Sequence, residues 1–459
     1  MYDNPRKPPS HRKRALLIVL AVLVVATCAL VVYLLMGKSN ILRGGYESLT
    51  RTPTREVTVA ALGATTILRA ETARMLPTPK SSGDVSAWQT LLARVTALLK
   101  GDKPEVCGLS DLDSALFIAG DPEVGTSAVN TTLARLTGKL VESDNPAERV
   151  QGLYMQAHLA DWAQRNADSA RYRICGGDFE CTIKLSNEQT APTSNAQEQV
   201  QAVRAAAAAP LVKLALASRD PNTIAAAIHA CQHIRIGACG TISIADWAAI
   251  EPDNAAVWLM MAETTAPNDT AARADALRRA AAATGYDMRV PSLASVFASD
   301  LVNAQTRLVQ SEIGDYLATS TISDAIAPVM GFATYCLRDK TADDARAAVC
   351  DTLVNTMAQK DESLVGASMA IAIGAKIGWD ESRLQPLRDE KVILYGRMND
   401  SFSRENLFSC NQLEQRHLRA SDYLSKSERM LGRELAAKSG KTVAELANDY
   451  RTKYPSLAK

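Results

Sequence analysis

Residues 15–36 read ALLIVLAVLVVATCALVVYLLM, twenty-two consecutive residues without a charge. As a helix this run is about 33 Å long, enough to cross a hydrocarbon core of about 30 Å. In lipid a single segment can satisfy its own backbone N–H and C=O groups only as a helix, so the run predicts one transmembrane helix. Arg6, Lys7, Arg12, Lys13 and Arg14 precede it, whereas only Lys38 and Arg43 follow closely. Basic residues accumulate on the cytoplasmic side, which places residues 1–14 in the cytoplasm and 37–459 outside. A cleaved signal peptide would have an apolar stretch of about 7–15 residues and a small-x-small site. This run is longer, and Gly37-Lys38-Ser39-Asn40 supplies no such site. A lipoprotein reading at Cys28 meets Thr27 where a small residue is needed, and eight further apolar residues follow. The span contains no G-x-x-x-G, so pairing of such helices in the bilayer has no support.

The expected organisation is a basic cytoplasmic tail (1–14), a transmembrane helix (15–36) and a polar, glycine-containing linker (37–56). A periplasmic α-helical domain (57–459) follows, with a candidate division at 176–195. The tail holds five Lys/Arg and one Asp, +4, which leaves 1 − 4 = −3 for the exported part of a chain of net charge +1. A mildly acidic exported part should not cling to an anionic membrane. It also lacks the concentrated basic field that phosphate recognition needs, so nucleic acid is excluded as the main partner. Apolar residues at 47% and charged residues at 22% allow a real core. Aromatic residues at 5% leave few platforms for stacking bases or sugars.

Eight cysteines lie beyond the span: Cys107, Cys175, Cys181, Cys231, Cys239, Cys336, Cys350 and Cys410. An even number fits disulfides in an oxidising compartment. The shortest-loop pairing, one among about 105, joins Cys175–Cys181, Cys231–Cys239 and Cys336–Cys350 and leaves Cys107–Cys410 to tie the ends of the domain together. Zinc is the rival reading, because His229 and His233 stand four apart on one helix face. Cys231, however, falls about 200° from His229 around a helix. There is no C-x-x-C anywhere in the chain, and neither a metal nor a cofactor is expected.

The remainder reads as helix after helix, all-α. Asp121-Pro122, Asp144-Asn145-Pro146 and Asp220-Pro221 place a capping residue at or before a proline. Helices are expected over 57–76, 84–100, 146–173, 196–218, 221–234, 243–250, 254–265 and 270–284. Later ones are expected over 291–309, 311–319, 321–338, 341–359, 361–378, 380–397, 403–437 and 441–453. Strand alternation is thin. Trp162, Trp247 and Trp258 read as core anchors, and the charged stretch 414–453 as a solvated helix face.

Ile250-Glu251-Pro252-Asp253-Asn254-Ala255-Ala256-Val257-Trp258 resembles a tetratricopeptide junction, in which a proline closes one repeat and an aromatic opens the next six residues on. Ala262, Ala274 and Ala281 stand where that family has small residues, while Thr265 and Arg278 depart from its pattern. Cys231-x7-Cys239-Gly240 is similar to the staples of Sel1-like repeats. The resemblance covers residues 231–284. It implies stacked αα-hairpins, TPR-like and irregular, with disulfide staples behind a single transmembrane helix. A compact irregular bundle is the alternative.

H-E-x-x-H, G-x-S-x-G, the P-loop and C-x-x-C-H are all missing. The acidic pairs Asp343-Asp344 and Asp361-Glu362 fall where helices begin and the helix dipole favours them. No residue is singled out as catalytic. The expected function is a scaffold anchored in a bacterial inner membrane that binds envelope or periplasmic proteins. The alternative is an envelope hydrolase acting on cell-wall glycan or peptide through a carboxylate site. Protease added to spheroplasts should digest the exported part while leaving the span and tail. Complete protection would reverse the assigned orientation.

Overall fold

The computed structural model describes residues 82–101, 105–121, 124, 126–170, 184, 194–232, 234–266, 268–337, 344–401 and 407–458. The predicted tail, span, linker and first helix lie outside the described residues, as do most of the 176–195 division and the Cys175–Cys181 pair. Among the described residues there are eighteen α-helices, two 3-10 turns and no strand, so the fold is all-α.

The first half runs α1 (Ser82–Lys100), α2 (Asp111–Ala119), α3 (Thr126–Val141), α4 (Pro146–Ala170), α5 (Ser194–Ser218) and α6 (Pro221–Ala230). Four short elements or hairpin arms follow: α7 (Ile244–Ala248), α8 (Ala255–Thr264), α9 (Thr270–Ala282) and α10 (Ala294–Phe297). Then come α11 (Asp300–Asn303), α12 (Arg307–Leu337), α13 (Asp344–Lys360) and α14 (Leu364–Ile377). The chain ends with α15 (Glu381–Ser401), α16 (Cys410–Ser425), α17 (Glu428–Lys438) and α18 (Val443–Lys453).

Local chemistry sets many of these boundaries. Asp220 accepts from the Thr223 amide at 2.8 Å with Pro221 at the first helical position, so α6 starts there. Ser363, Ser409, Ser427 and Thr442 each cap the helix that follows by accepting from an amide in its first turn. The charged stretch expected as one helix over 403–437 is therefore two, divided at Ser427. The helix expected over 291–309 is likewise broken into α10 and α11, with Ser299 at the start of the second. The two helices expected over 311–319 and 321–338 are in fact one, α12. Thr319 and Thr321 turn their hydroxyls back to the carbonyls of Asp315 and Leu317, at 2.7 and 3.2 Å, and so do not compete for the amides that continue the helix.

At 31 residues, about 46 Å long, α12 is the spine. Its first half (Val309, Ile313, Tyr316, Leu317) joins a core shared with α3–α8 and α16. Its last turns (Phe332, Ala333, Cys336) join a second core shared with α8, α9, α13 and α14. A side chain larger than hydrogen at Gly314 would collide with Ala420 of α16 and with Phe297, so the glycine sets how closely α12 and α16 approach. Gly152 does the same for the α3/α4 hairpin, where an added Cβ would lie 2.5 Å from the Val141 amide. Elsewhere alanines set the spacing, as with Ala225, Ala226 and Ala227, all fully buried in α6.

Three cysteine pairs lie at bonding distance, with Cα separations of 4.8 Å for Cys107–Cys410, 5.2 Å for Cys231–Cys239 and 5.8 Å for Cys336–Cys350. The last joins the end of α12 to α13. The first spans 303 positions and seats the turn after α1 on the start of α16. Phe117 and Phe408 pack edge-to-face beside it at 4.9 Å, with Val106, Leu308 and Leu413 around them. Closing a loop of that size removes about 5–6 kcal/mol of unfolded-state chain entropy. Cys107→Ser with Cys410→Ser should lower the unfolding free energy by about 3–5 kcal/mol in urea titration, far more than surface substitutions do. An unchanged midpoint would contradict this placement.

Candidate functional site

Among the described residues an apolar cleft of about 420 Å³ lies between the C-terminal end of α6, the loop after it, α7 and α8. Its walls are Ile228, Cys231, Ile242, Ile244, Met260 and Met261, and Arg235 and Glu263 stand on its lining as opposite charges. The Cys231–Cys239 bond closes the loop that forms one wall. Ser243 and Asp246 form a capping box that starts α7, the Ser243 amide donating to Asp246 at 2.8 Å. Burial raises the Glu263 carboxyl above its ordinary range, and the nearby Arg273 charge opposes that shift without cancelling it.

Behind the cleft, Glu251 organises the packing. It accepts from the Trp247 indole at 2.7 Å and from Arg289 at 2.6 Å, with Asn254 at 3.4 Å. Burial works against its charge, yet the bonds from Arg289, Trp247 and Asn254 prevail and hold its pKa below the usual value. Asn254 caps α8 and bonds Asp287 in both directions, at 2.8 and 3.0 Å. Arg289 reaches Glu251 from a left-handed backbone, φ 53°. Trp247 is fully buried.

The residues read as a repeat junction fall beside this cleft. The Trp258 indole donates to the Pro252 carbonyl at 2.7 Å, so their six-residue spacing has a direct physical use. The α8/α9 pair is an antiparallel hairpin whose turn is held by Arg273 donating to the carbonyls of Ala262 and Thr265. Ala262 is fully buried, but Ala274 and Ala281 are only half-buried. Ala276, Leu277 and Ala280 are the buried residues of α9, and Ala281 packs against the same core. Arg278 lies exposed, and Arg279 stacks over the Trp258 ring at 4.8 Å.

Two of the residues weighed for zinc have other partners. His229 is buried with Nε2 2.7 Å from the Met288 carbonyl, Cys231 is bonded to Cys239, and His233 lies outside the described residues. Among the described residues no group of three or more His, Cys, Asp or Glu could hold a metal. Trp162's side chain and Asp343 are likewise outside them, and Asp344 opens α13.

Asp361 and Glu362 form the turn between α13 and α14, and each has a structural partner. Asp361 accepts from the Tyr286 hydroxyl at 2.7 Å and the Ser363 amide at 2.8 Å. Glu362 accepts from Ser427 at 3.1 Å, and its carbonyl accepts the Arg429 amide at 3.0 Å. In return Glu428, from the first turn of α17, accepts the Leu364 amide of α14 at 2.5 Å. The two helix N-termini thus cap one another. Arg429 lies buried between them, bonded to Glu390 at 2.6 Å and to the carbonyls of Ala358 and Asp361 at 2.8 Å each. Arg433 adds bonds to Glu390 and Glu362. The stretch expected as a solvated face therefore supplies the most buried guanidinium here, Arg429 being 4% exposed. Sequence periodicity missed this knot because its members are spread from Tyr286 to Arg433.

No protein-family model matches the chain, and no similar curated protein or solved structure was found.

Burial, with the Asp361 charge adding to it and the Leu364 amide opposing it, pushes Glu428 up to about 7. A carboxyl raised in the folded state contributes stability that is complete below about pH 4.5 and is lost as pH rises through about 7. Glu428→Gln keeps the acceptor for Leu364. It should therefore stabilise the protein by about 2–3 kcal/mol at pH 8, with the gain shrinking towards pH 5. A gain independent of pH in thermal or urea unfolding would contradict the assignment.

Proposed function

We propose that the chain is a membrane-anchored envelope scaffold that binds an apolar segment of a partner protein in the cleft between α6, α7 and α8. The observation that carries this reading is the contrast between the two polar–apolar arrangements just described. The buried carboxylates of the α13–α17 region are engaged with helix ends and guanidinium groups, whereas the open concavity is walled by aliphatic and thioether side chains.

A volume of about 420 Å³ lies within the roughly 300–1,000 Å³ of ordinary binding pockets. Met260 and Met261 give its wall adjustable shape, because an unbranched thioether repacks at low cost. Arg235 and Glu263 supply a polar rim that can orient a peptide without providing a reaction. The disulfide keeps the loop wall in place before a partner arrives, which reduces the ordering cost of binding. Residues 15–36, as an anchor, would hold the cleft at the periplasmic face of the inner membrane and raise its effective concentration there. The hydrolase alternative requires convergent carboxyls open to a substrate, and the carboxyls gathered around Asp361 serve helix capping.

Photocrosslinking in cells with benzoylphenylalanine in place of Met261 tests the proposal. One or a few envelope proteins should be captured, and the same group in place of the exposed Leu418 should not capture them. Absence of any adduct specific to position 261, or release of cell-wall fragments by the purified full chain, would overturn it.

A further inference from the structure

We infer that the cleft between α6, α7 and α8 selects a basic side chain: a lysine or arginine of the bound segment lays its stem along the methionine wall and sets its charge against Glu263. The inference rests on the proposal that this cleft binds a partner, and it adds the residue type that the cleft chooses.

Glu263 lines the cleft from α8 and is half-buried. Its carboxyl has no hydrogen bond or ion pair among the described residues. Other carboxylates withdrawn from water in this fold are answered. Glu251 accepts from Trp247 and Arg289, Glu390 accepts from Arg429 and Arg433, and Glu312 pairs with Arg416 at 3.1 Å. Arg273 acts on Glu263 only through space. It donates instead to the carbonyls of Ala262 and Thr265 at 3.2 and 2.9 Å, where it holds the α8/α9 turn. The hydroxyls of Ser243 and Thr264, on the same lining, are committed to Asp246 at 2.7 Å and to the Met260 carbonyl at 3.0 Å. A partly desolvated carboxyl without a donor costs free energy, and burial accordingly holds Glu263 above its ordinary range. A cation entering the cleft relieves that cost.

The lining carries one charge of each sign, Arg235 and Glu263, so their sum does not choose the occupant. Burial does. Arg235 is exposed and donates to the Ile234 carbonyl at 3.3 Å, and at such a position water screens a charge. Glu263 is less hydrated, so a charge beside it interacts more strongly. Ile228, Ile242, Met260 and Met261 supply the apolar surface near it. Lysine and arginine bury long methylene stems along apolar surface while their heads keep a polar contact. An acidic side chain would be repelled by Glu263. A purely apolar one would cover the carboxyl without answering it.

The test titrates the full chain, in a neutral detergent, with fluorescein-labelled Leu-Leu-Lys-Leu-Leu and with the same peptide carrying norleucine or glutamate at its centre, read by fluorescence anisotropy. The lysine peptide should bind at least about tenfold more tightly than the norleucine peptide. In Glu263→Gln, which keeps the side chain's shape, the two should differ by less than about twofold, whereas Arg235→Gln should leave the preference in place. Equal affinities in the unsubstituted chain, tightest binding of the glutamate peptide, or no binding of any peptide would overturn the inference. The urea midpoint of Glu263→Gln should not fall, because the carboxyl has no partner to lose; a fall would show a structural role and contradict it. Photocrosslinking from position 261 reports separately on partner binding. Adducts there with equal peptide affinities refute the basic specificity alone. A lysine preference without adducts refutes the partner proposal alone, and the absence of both refutes both.

Discussion

A bond between Cys107 and Cys410 joins points 303 residues apart and persists only where thiols stay oxidised. The same requirement holds for Cys231–Cys239, which fixes the wall of the cleft, and for Cys336–Cys350, which sets α13 on the end of α12. Many of the helices between these bonds are alanine-rich, and small side chains bury little apolar area one at a time. Their faces are hidden only when neighbours hold still, and the covalent closures reduce the freedom that would otherwise compete with packing.

Noncovalent order is concentrated at two polar knots. Glu251 ties α7, the start of α8 and the segment around Arg289, and so supports the cleft from behind. Arg429 ties α13, α14, α15 and α17, with Glu390 answering its charge and carbonyls taking its other donors. A buried charge with satisfied donors specifies one arrangement of helices, because sliding any of them strands the guanidinium. Removing one member costs about 3–5 kcal/mol in comparable buried pairs. Polar groups thus set geometry in the interior.

Much of the fold was legible where its cause is local. Asp220-Pro221 marks the start of α6 because cap and first turn are adjacent in sequence. The fully helical class followed from scarce alternation. The spacing of Pro252 and Trp258 was noticed from a repeat resemblance, and its use is an indole bond to a carbonyl. What escaped depends on distant partners. Thr319-Ser320-Thr321 resembles a boundary, yet the hydroxyls of Thr319 and Thr321 fold back and α12 runs on. Arg429 looked solvated because Glu390 and Ala358 are far away in sequence. The cleft was hidden for the same reason, being assembled from the end of α6 and the middle of α8.

Disulfide mapping by mass spectrometry, on the full chain taken from membranes with free thiols blocked beforehand, tests the account most directly. Crosslinked peptides joining 107 with 410, 231 with 239 and 336 with 350 are expected. Blocked, unpaired cysteines at these positions would contradict the covalent frame and the proposal that the domain is exported.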